Sequence, residues 1–587
     1  MTSSVGSFSP IDAAHVKVGG EIGRRIDMTI HANLLKLDVE NDFLKAFRDK
    51  KDWPSGYVGI GKLIDACVTF GHYSNNPEVI ALKDRLVREL IATQLDDGYI
   101  GLKPAGHRVA ELWDLHEMVY IIFALVNDYR YFHNQESLEA ARKLADYVIQ
   151  HRKGSDPPQG TGKLNTERAM IALSQATGDG RYRDYAVDGM DLRRWNAPVS
   201  GHAYTFMNVC LAQLDLFRER PDESLLSQSR RVIDYLTKND GLAITGTCSL
   251  NEAFHDNQET RGNLGESCAT AYLIRLAHNL LQLEGKSLNG DIMERAIYNA
   301  LFAAQEPTGR RLRYFTCVDG PRVYFDRDSY CCPGNWRRIV AELPEMIYYR
   351  SADGGLLVNL YTASSADVQL TEELSLRLRQ ETDYPNSGRV SITLDPSQAA
   401  EFPLKLRVPR WATSAVVAVN GQEIGAAAKP GDFAVIRRTW KSGDVVTLDM
   451  PMDVRVVKGR KLQSGKVAVM RGPLVFCLAA PQGVPTRTVD NVANPAEMQR
   501  AAEEGKERQW TLDAASITGP VPNQAVRPDG LALQARVWAG ESDRAKPADI
   551  AVLLTEYPDP AGETTFFRAA NADKAVDDEL AISPSKE

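Results

Sequence analysis

Residues 136–153 read ESLEAARKLADYVIQHRK. Leu138, Ala141, Leu144, Ala145 and Val148 recur at steps of three and four, which gathers them on one stripe of an α-helix and leaves the charged residues on the other face. DESLLSQSRRVIDYLTK (222–238) repeats the pattern. Segments of this kind run from about residue 20 to 350, separated by short turns such as TGDGRY (177–182), EGKSLNGD (284–291) and EPTGRR (306–311). Roughly ten to twelve helices of ordinary length fit there. So many helical hairpins in one domain predict a closed toroid of helix pairs, an (α/α) barrel; a bundle or a solenoid also satisfies the spacing.

Beyond about residue 350 the period changes to two. LKLRVPRW (404–411) and AVVAVNGQEI (415–424) are β-branched runs, and Asn420-Gly421 between valine-rich flanks is a hairpin signal. DVVTLDMPMDVRVV (444–457) and KVAVMRGPLVFCLA (466–479) continue the alternation, so one or two β-sandwiches are expected. Residues 484–530, rich in Pro, Asn and charge, read as an insertion before last strands near ALQARVWAG and DIAVLLTEY, and the polar end NADKAVDDELAISPSKE reads as disordered. The expected division is therefore a helical barrel at 1–350, a β-sandwich at 351–480, and a second β-rich domain at 481–587.

A chain of 587 residues is too long for one core, and its 43% apolar and 25% charged residues are ordinary for a globular protein. A net charge of −8, with no basic stripe interleaved with aromatics, argues against a nucleic-acid partner. The first residues lack both a basic start and an apolar run, so neither a signal peptide nor a membrane span is readable. Eight cysteines are too few for a disulfide scaffold, which suits a reducing cytoplasm.

Four of those cysteines fall between 268 and 332, and two are adjacent in SYCCPGN (329–335). A disulfide between neighbours would close a strained ring, which leaves metal binding or thiol chemistry. Cys331 and Cys332 sit before Pro333 and the helical pattern of GNWRRIVAELPEMIYY, hence at a helix N-terminus, whose positive end favours thiolate. A second helix is written in GESCATAYLIRLAHNLLQLEG (265–285). Glu266 and Cys268 are two apart and would lie on opposite helix sides, so they share a target only if the chain is still extended at the helix entrance. One carboxylate and three thiolates form a tetrahedral set that suits Zn²⁺. Such closed sites are more often structural than catalytic, and Cys317 could replace one ligand. Cys67, Cys210 and Cys477 lie in apolar runs and read as packing.

GESCATAYLIRLAHNLL, ERAIYNALFAAQEPTGRRLRYFT, DSYCCPGNWRRIVAELPEMIYY and GLLVNLYTAS, in that order, resemble the zinc- and cysteine-dependent β-L-arabinofuranosidases of glycoside hydrolase family 127 and relatives. LKLRVPRWA, VNGQ, RRTWKSGDVVTLDMPM and VMRGPLVFCLA extend the resemblance through the β region. It covers roughly residues 50–480 and implies an (α/α)6 barrel followed by β-sandwich domains. It further implies zinc held by Glu266, Cys268, Cys331 and Cys332, with Cys331 as the nucleophile of a retaining mechanism.

In the same family a Glu-Ala-Phe acid precedes the Glu-x-Cys motif, which matches Glu252 in SLNEAFHDNQETRGNLGESC. His202 in SGHAYTF, Tyr314 in RYFT and His116 in WDLHEMVY match residues lining the sugar pocket. Three departures fall on that pocket: Asn251 stands where a Gly often precedes the acid, Phe123 where a second histidine often lies, and Asn165 where relatives carry another. The resemblance thus implies an exo-acting glycosidase, and the lack of a readable secretion signal makes a short imported oligosaccharide the expected substrate, with a homodimer left open. A sugar lyase on the same barrel, or a noncatalytic sugar-binding protein with structural zinc, are the competing readings. Trp53, Trp113 and Trp195 could serve any of the three as sugar platforms.

Overall fold

The computed structural model describes residues 6–51, 57–109, 112–152, 166–189, 191–425, 429–479, 487–489, 510–540 and 544–582. Thirteen α-helices among them run from Gly20–Met28 to Cys331–Glu342, and the chain after Tyr348 is built of strands. It divides into two compact units, one of residues 26–232 with 327–342, the other of residues 1–25, 233–326 and 343–587.

The first unit is helical. Ile60–Ser74, Leu112–Phe132, Thr166–Thr177 and Ala203–Glu219 pack each on the next, and Cys331–Glu342 packs on Ile60–Ser74. These helices are buried on most of their faces: Leu112–Phe132 encloses even Asp114, His116 and Glu117. The helices between them bury one stripe. Pro77–Ile91 buries Val79, Lys83, Leu86, Val87 and Leu90, and Gln135–His151 buries Ala141, Leu144, Ala145 and Val148 of the expected stripe, with Leu138 half-buried. Alternation of enclosed and one-faced helices is the signature of a double ring, in which an inner layer touches neighbours all round and an outer layer faces water.

The second unit holds three large sheets. A five-stranded sheet has the order 8–10, 348–351, 356–358, 400–408, 432–440, and a seven-stranded sheet the order 422–423, 416–419, 444–449, 389–396, 375–381, 364–369, 16–18. Ser375–Glu381 alternates strictly between exposed and buried residues, as a sheet with one wet face requires. Asn420 and Gly421 both take positive φ (51° and 80°), the conformation that the Asn-Gly signal demands.

In the eight-stranded sheet, Lys466–Arg471 pairs with both Leu474–Ala479 and Phe567–Ala570, so the sheet closes on itself. Thr511–Pro522 is one of its strands, inside the stretch expected to be an insertion; residues 490–509 of that stretch lie outside the described residues. Residues 571–582, expected to be disordered, are held. Leu580 is buried, Arg295 pairs with Asp578 at 3.3 Å and with Glu579, and the Ile582 amide donates to the Thr237 carbonyl at 2.7 Å. Opposite charges brought together in a dry setting overrode the polar composition of that segment.

Candidate active site and metal centre

The helix Ser267–Glu284 starts one residue after Glu266, which is extended (φ −52°, ψ 129°) and caps it. The backbone explains the extension: the Gly265 amide donates to the Ser249 carbonyl at 2.7 Å, and the Ser267 and Thr316 amides bond Tyr314 and Gly265 carbonyls at 2.9 and 3.0 Å. A strand-like stretch thus runs directly into the helix, as Glu266 and Cys268 needed in order to point at one target. Gly265 has φ +74°, and a Cβ there would lie 2.6 Å from Thr316 Oγ1, so no other residue fits. Cys331 and Cys332 are the first two residues of their helix, at its positive end, where thiolate is favoured.

One ligand atom from each of Glu266, Cys268, Cys331 and Cys332 lies within 4.8 Å of the others, and all four residues are buried. This is a set that could hold a metal ion, and its hard-soft composition suits zinc. Cys317 is not in the group; its sulfur faces the Pro321 carbonyl at 3.5 Å. Cys248 is buried near Glu266, and burial first, then that carboxylate, pushes its thiol pKa up, as expected of a packed thiol. All eight cysteines are free.

Glu252 sits in the two-residue turn between the strands Ser249–Leu250 and Ala253–Phe254. Asn251 and Glu252 have φ +48° and +66°. Asparagine tolerates this region, which accounts for its standing in place of glycine, but a glutamate there costs roughly 1–2 kcal/mol. The Glu252 carboxylate accepts the Tyr314 hydroxyl, and Tyr314 is itself buried. A strained acidic residue held by a buried phenol is what a functional carboxylate looks like.

His116 and His202 are joined through Tyr204. The Tyr204 hydroxyl lies 2.9 Å from His116 Nε2, and the His202 and Tyr204 rings are 4.8 Å apart. His202 is the residue before the helix Ala203–Glu219. Around His116 stand the rings of Tyr57 (5.0 Å), Tyr120 (5.0 Å) and Trp113 (5.7 Å). Tyr57 and Trp113 also pack on Tyr330 at 6.1 and 6.0 Å, and Tyr330 directly precedes Cys331. The aromatic box around His116 is thus continuous with the cysteine pair. Burial, then the charge of Lys62, holds the His116 pKa well below the usual histidine value, so the imidazole is neutral at neutral pH.

The description "β-L-arabinofuranosidase, GH127 catalytic domain" matches residues 38–345, and that of the GH127 middle domain matches residues 355–452. The chain belongs to glycoside hydrolase family 127. As a family 127 member it is a glycoside hydrolase, which sets aside the lyase and binding-protein readings. A non-reducing end β-L-arabinofuranosidase of Bifidobacterium longum is 25% identical over 488 residues, 69% of this chain and 72% of that protein. Among solved structures, a GH127 β-L-arabinofuranosidase from Geobacillus stearothermophilus T6 superposes with a TM-score of 0.76 at 22% identity, over 94% of this chain and all of that one. A GH127 β-arabinofuranosidase does so with a TM-score of 0.80 at 21% identity, over 98% of this chain and 100% of that one. These likenesses establish the fold as an (α/α) barrel with a β-rich region after it. No helix among the described residues is long and apolar enough to cross a membrane.

Asn165 and Trp53 lie outside the described residues. Trp195 packs against Phe206 at 4.9 Å, and Phe123 is covered by Arg168 and Arg338. Sequence reading missed Lys62, Tyr204 and Glu117. Lys62 is fully buried, 3.4 Å from His116 Nε2 and 4.4 Å from the centre of the Tyr120 ring. The Glu117 carboxylate accepts the Val58 and Gly59 amides at 2.9 Å each, and burial pushes its pKa up. The signal was present: Lys62 and Asp65, in the otherwise apolar run GIGKLIDACV, have no wet face to occupy.

Proposed function

We propose that the protein removes terminal β-L-arabinofuranosyl or closely related five-membered-ring residues from the non-reducing ends of oligosaccharides, with retention of configuration. Cys331 is the nucleophile and Glu252 the acid and then the base. In the first step the Cys331 sulfur forms a bond to the anomeric carbon as the glycosidic C–O bond breaks, and the leaving oxygen takes the bond pair and the Glu252 proton. In the second, water attacks the same carbon, its proton passes to the Glu252 carboxylate, and the C–S bond breaks to restore the thiolate. A zinc ion held by Glu266, Cys268, Cys331 and Cys332 would keep the sulfur deprotonated at neutral pH. His116, neutral in its buried place, takes the sugar hydroxyls together with His202, Tyr314 and Asn165.

The observation that carries this reading is the buried carboxylate and three-thiol group whose Cys331 directly follows the aromatic box around His116. A purely structural zinc needs no box of aromatic rings around a buried histidine beside one of its thiols. The test is hydrolysis of p-nitrophenyl β-L-arabinofuranoside and bound zinc, measured on wild type, Glu252→Gln and Cys331→Ser. Zinc near one per chain, with steady-state turnover (kcat) lost in both variants, in Glu252→Gln because the second step has no base, and zinc kept in Glu252→Gln, is the expected result. Full zinc with undiminished turnover in Cys331→Ser would end the nucleophile assignment.

A further inference from the structure

We propose that the turn 459–465 of the closed eight-stranded sheet belongs to the catalytic apparatus: through Gln463 and Arg460 it positions the loop that carries Glu252. This rests on Glu252 being the acid.

The loop from Asn251 to Asn263 begins with the acid turn and returns to it. Its neck is closed twice, by the Asn251 amide on the Asn263 carbonyl at 2.9 Å and by Asn263 Nδ2 on Asn251 Oδ1 at 3.1 Å. Its middle is held from the C-terminal sheet. The Leu462 amide donates to the Asn257 carbonyl at 3.2 Å, and Gln463 Nε2, on a side chain 4% exposed, donates to the Gln258 carbonyl at 3.1 Å. Gln258 in turn donates to the Leu242 carbonyl at 3.0 Å, and Arg460 donates to that same carbonyl at 3.0 Å and to the Asp240 carboxylate. Beneath this, Val457, Ala468, Met470, Val475 and Phe566 share one apolar core with Ala243, Ile244 and Leu264, and Leu250 of the acid hairpin packs against it.

Backbone strain is concentrated in the same place. Asp240 (φ 61°), Asn251 (48°), Glu252 (66°), Gln258 (59°) and Lys461 (51°) all adopt the left-handed region without being glycine. This conformation is disfavoured for a residue with a Cβ, least for asparagine, and persists only where its surroundings over-determine it. A surface loop with no positional duty has no use for a set of interlocked strained residues. A carboxylate that must meet a leaving oxygen does, because a displacement of about 1 Å can lower the rate about a hundredfold.

The test compares two substrates that differ in their need for an acid. p-Nitrophenolate departs with little protonation, whereas the alkoxide of methyl β-L-arabinofuranoside needs a proton. In Gln463→Ala and Arg460→Met, kcat/KM on the methyl glycoside should fall about tenfold or more and on the aryl glycoside less than about threefold, since only acid assistance is misplaced. Parallel losses on both substrates, or none, would overturn the proposal, because a general loosening of the fold lowers both alike. If Gln463→Ala does not fold, Arg460→Met gives the same reading. Glu252→Gln is run beside them. If it shows no split, the acid assignment itself has failed; if it shows the split and the turn variants do not, only the positioning role is lost.

Discussion

Tyr314 holds Glu252 with its side chain and the helix Ser267–Glu284 with its backbone. Its hydroxyl donates to the Glu252 carboxylate, while its carbonyl accepts the Ser267 amide at 2.9 Å, one residue beyond Glu266. The Asn251-Glu252 turn and the entrance of the helix bearing Cys268 are therefore tied to each other through one residue. Tyr314→Phe keeps the backbone bond and the ring packing on Phe325 and removes only the hydroxyl. A hydrogen bond to a charged group contributes about 1.5–3 kcal/mol, so kcat/KM should fall by roughly ten- to a hundredfold. Zinc content should stay near wild type, which metal analysis checks, while calorimetry should show a melting temperature lowered by a few degrees at most.

The strain at Glu252 predicts an inverted order of stability for two inactive variants. Glycine ordinarily lowers stability relative to alanine, because the unfolded chain gains more freedom. At φ +66° the preference reverses, since alanine keeps the steric clash and glycine relieves it. Both variants lose the Tyr314 contact equally, so Glu252→Gly should be more stable than Glu252→Ala by about 1 kcal/mol. Denaturant melts of the pair measure it; equal midpoints would mean that the turn relaxes without its carboxylate.

Legibility followed distance along the chain. The metal set could be read because its members come in two local pairs, Glu266 with Cys268 and Cys331 with Cys332, each at the start of a strongly patterned helix. The Asn420-Gly421 hairpin was legible for the same reason. Lys62 was not, because its compensation comes from the Tyr57, Tyr120 and Tyr204 rings, the last far away in sequence. Residues 571–582 looked disordered because Asp578 and Glu579 meet their partner Arg295 only after the chain has folded across nearly its whole β region. The closure of the last sheet depends likewise on Lys466–Arg471 finding Phe567–Ala570, a pairing that no local pattern encodes.

His116 gives a pH dependence whose sign follows from its burial. Its folded pKa lies well below the ordinary value, chiefly from desolvation and then from Lys62, His202 and Arg338. The unfolded chain therefore takes up a proton near pH 6.5 that the native protein refuses, and stability falls as pH drops below that point, by at most about 1.4 kcal/mol per pH unit. His116→Gln has nothing to protonate in either state. Its melting temperature should depend less on pH between 7.5 and 5 than that of wild type, and a scanning calorimetry series checks this. Identical slopes would place the sensitivity elsewhere.

Metal removal tests the ligand set independently of activity. Glu266, Cys268, Cys331 and Cys332 are at most 4% exposed, so withdrawing the ion leaves a carboxylate and three thiols facing one another in a dry site. Binding confined to the folded state adds about 4 kcal/mol when the ligand is a thousandfold above its dissociation constant, and a chelator cancels that contribution. The melting temperature should drop on chelation and return when Zn²⁺ is added back. Iodoacetamide offers a second readout. Cys331, the most exposed of the four and the one beside the aromatic box, should be alkylated first in the chelated protein and be protected in the zinc-loaded one. Peptide mapping decides the point: labelling that begins at Cys268 or Cys332, or that zinc does not suppress, would mean that the ion is held by a different set of side chains.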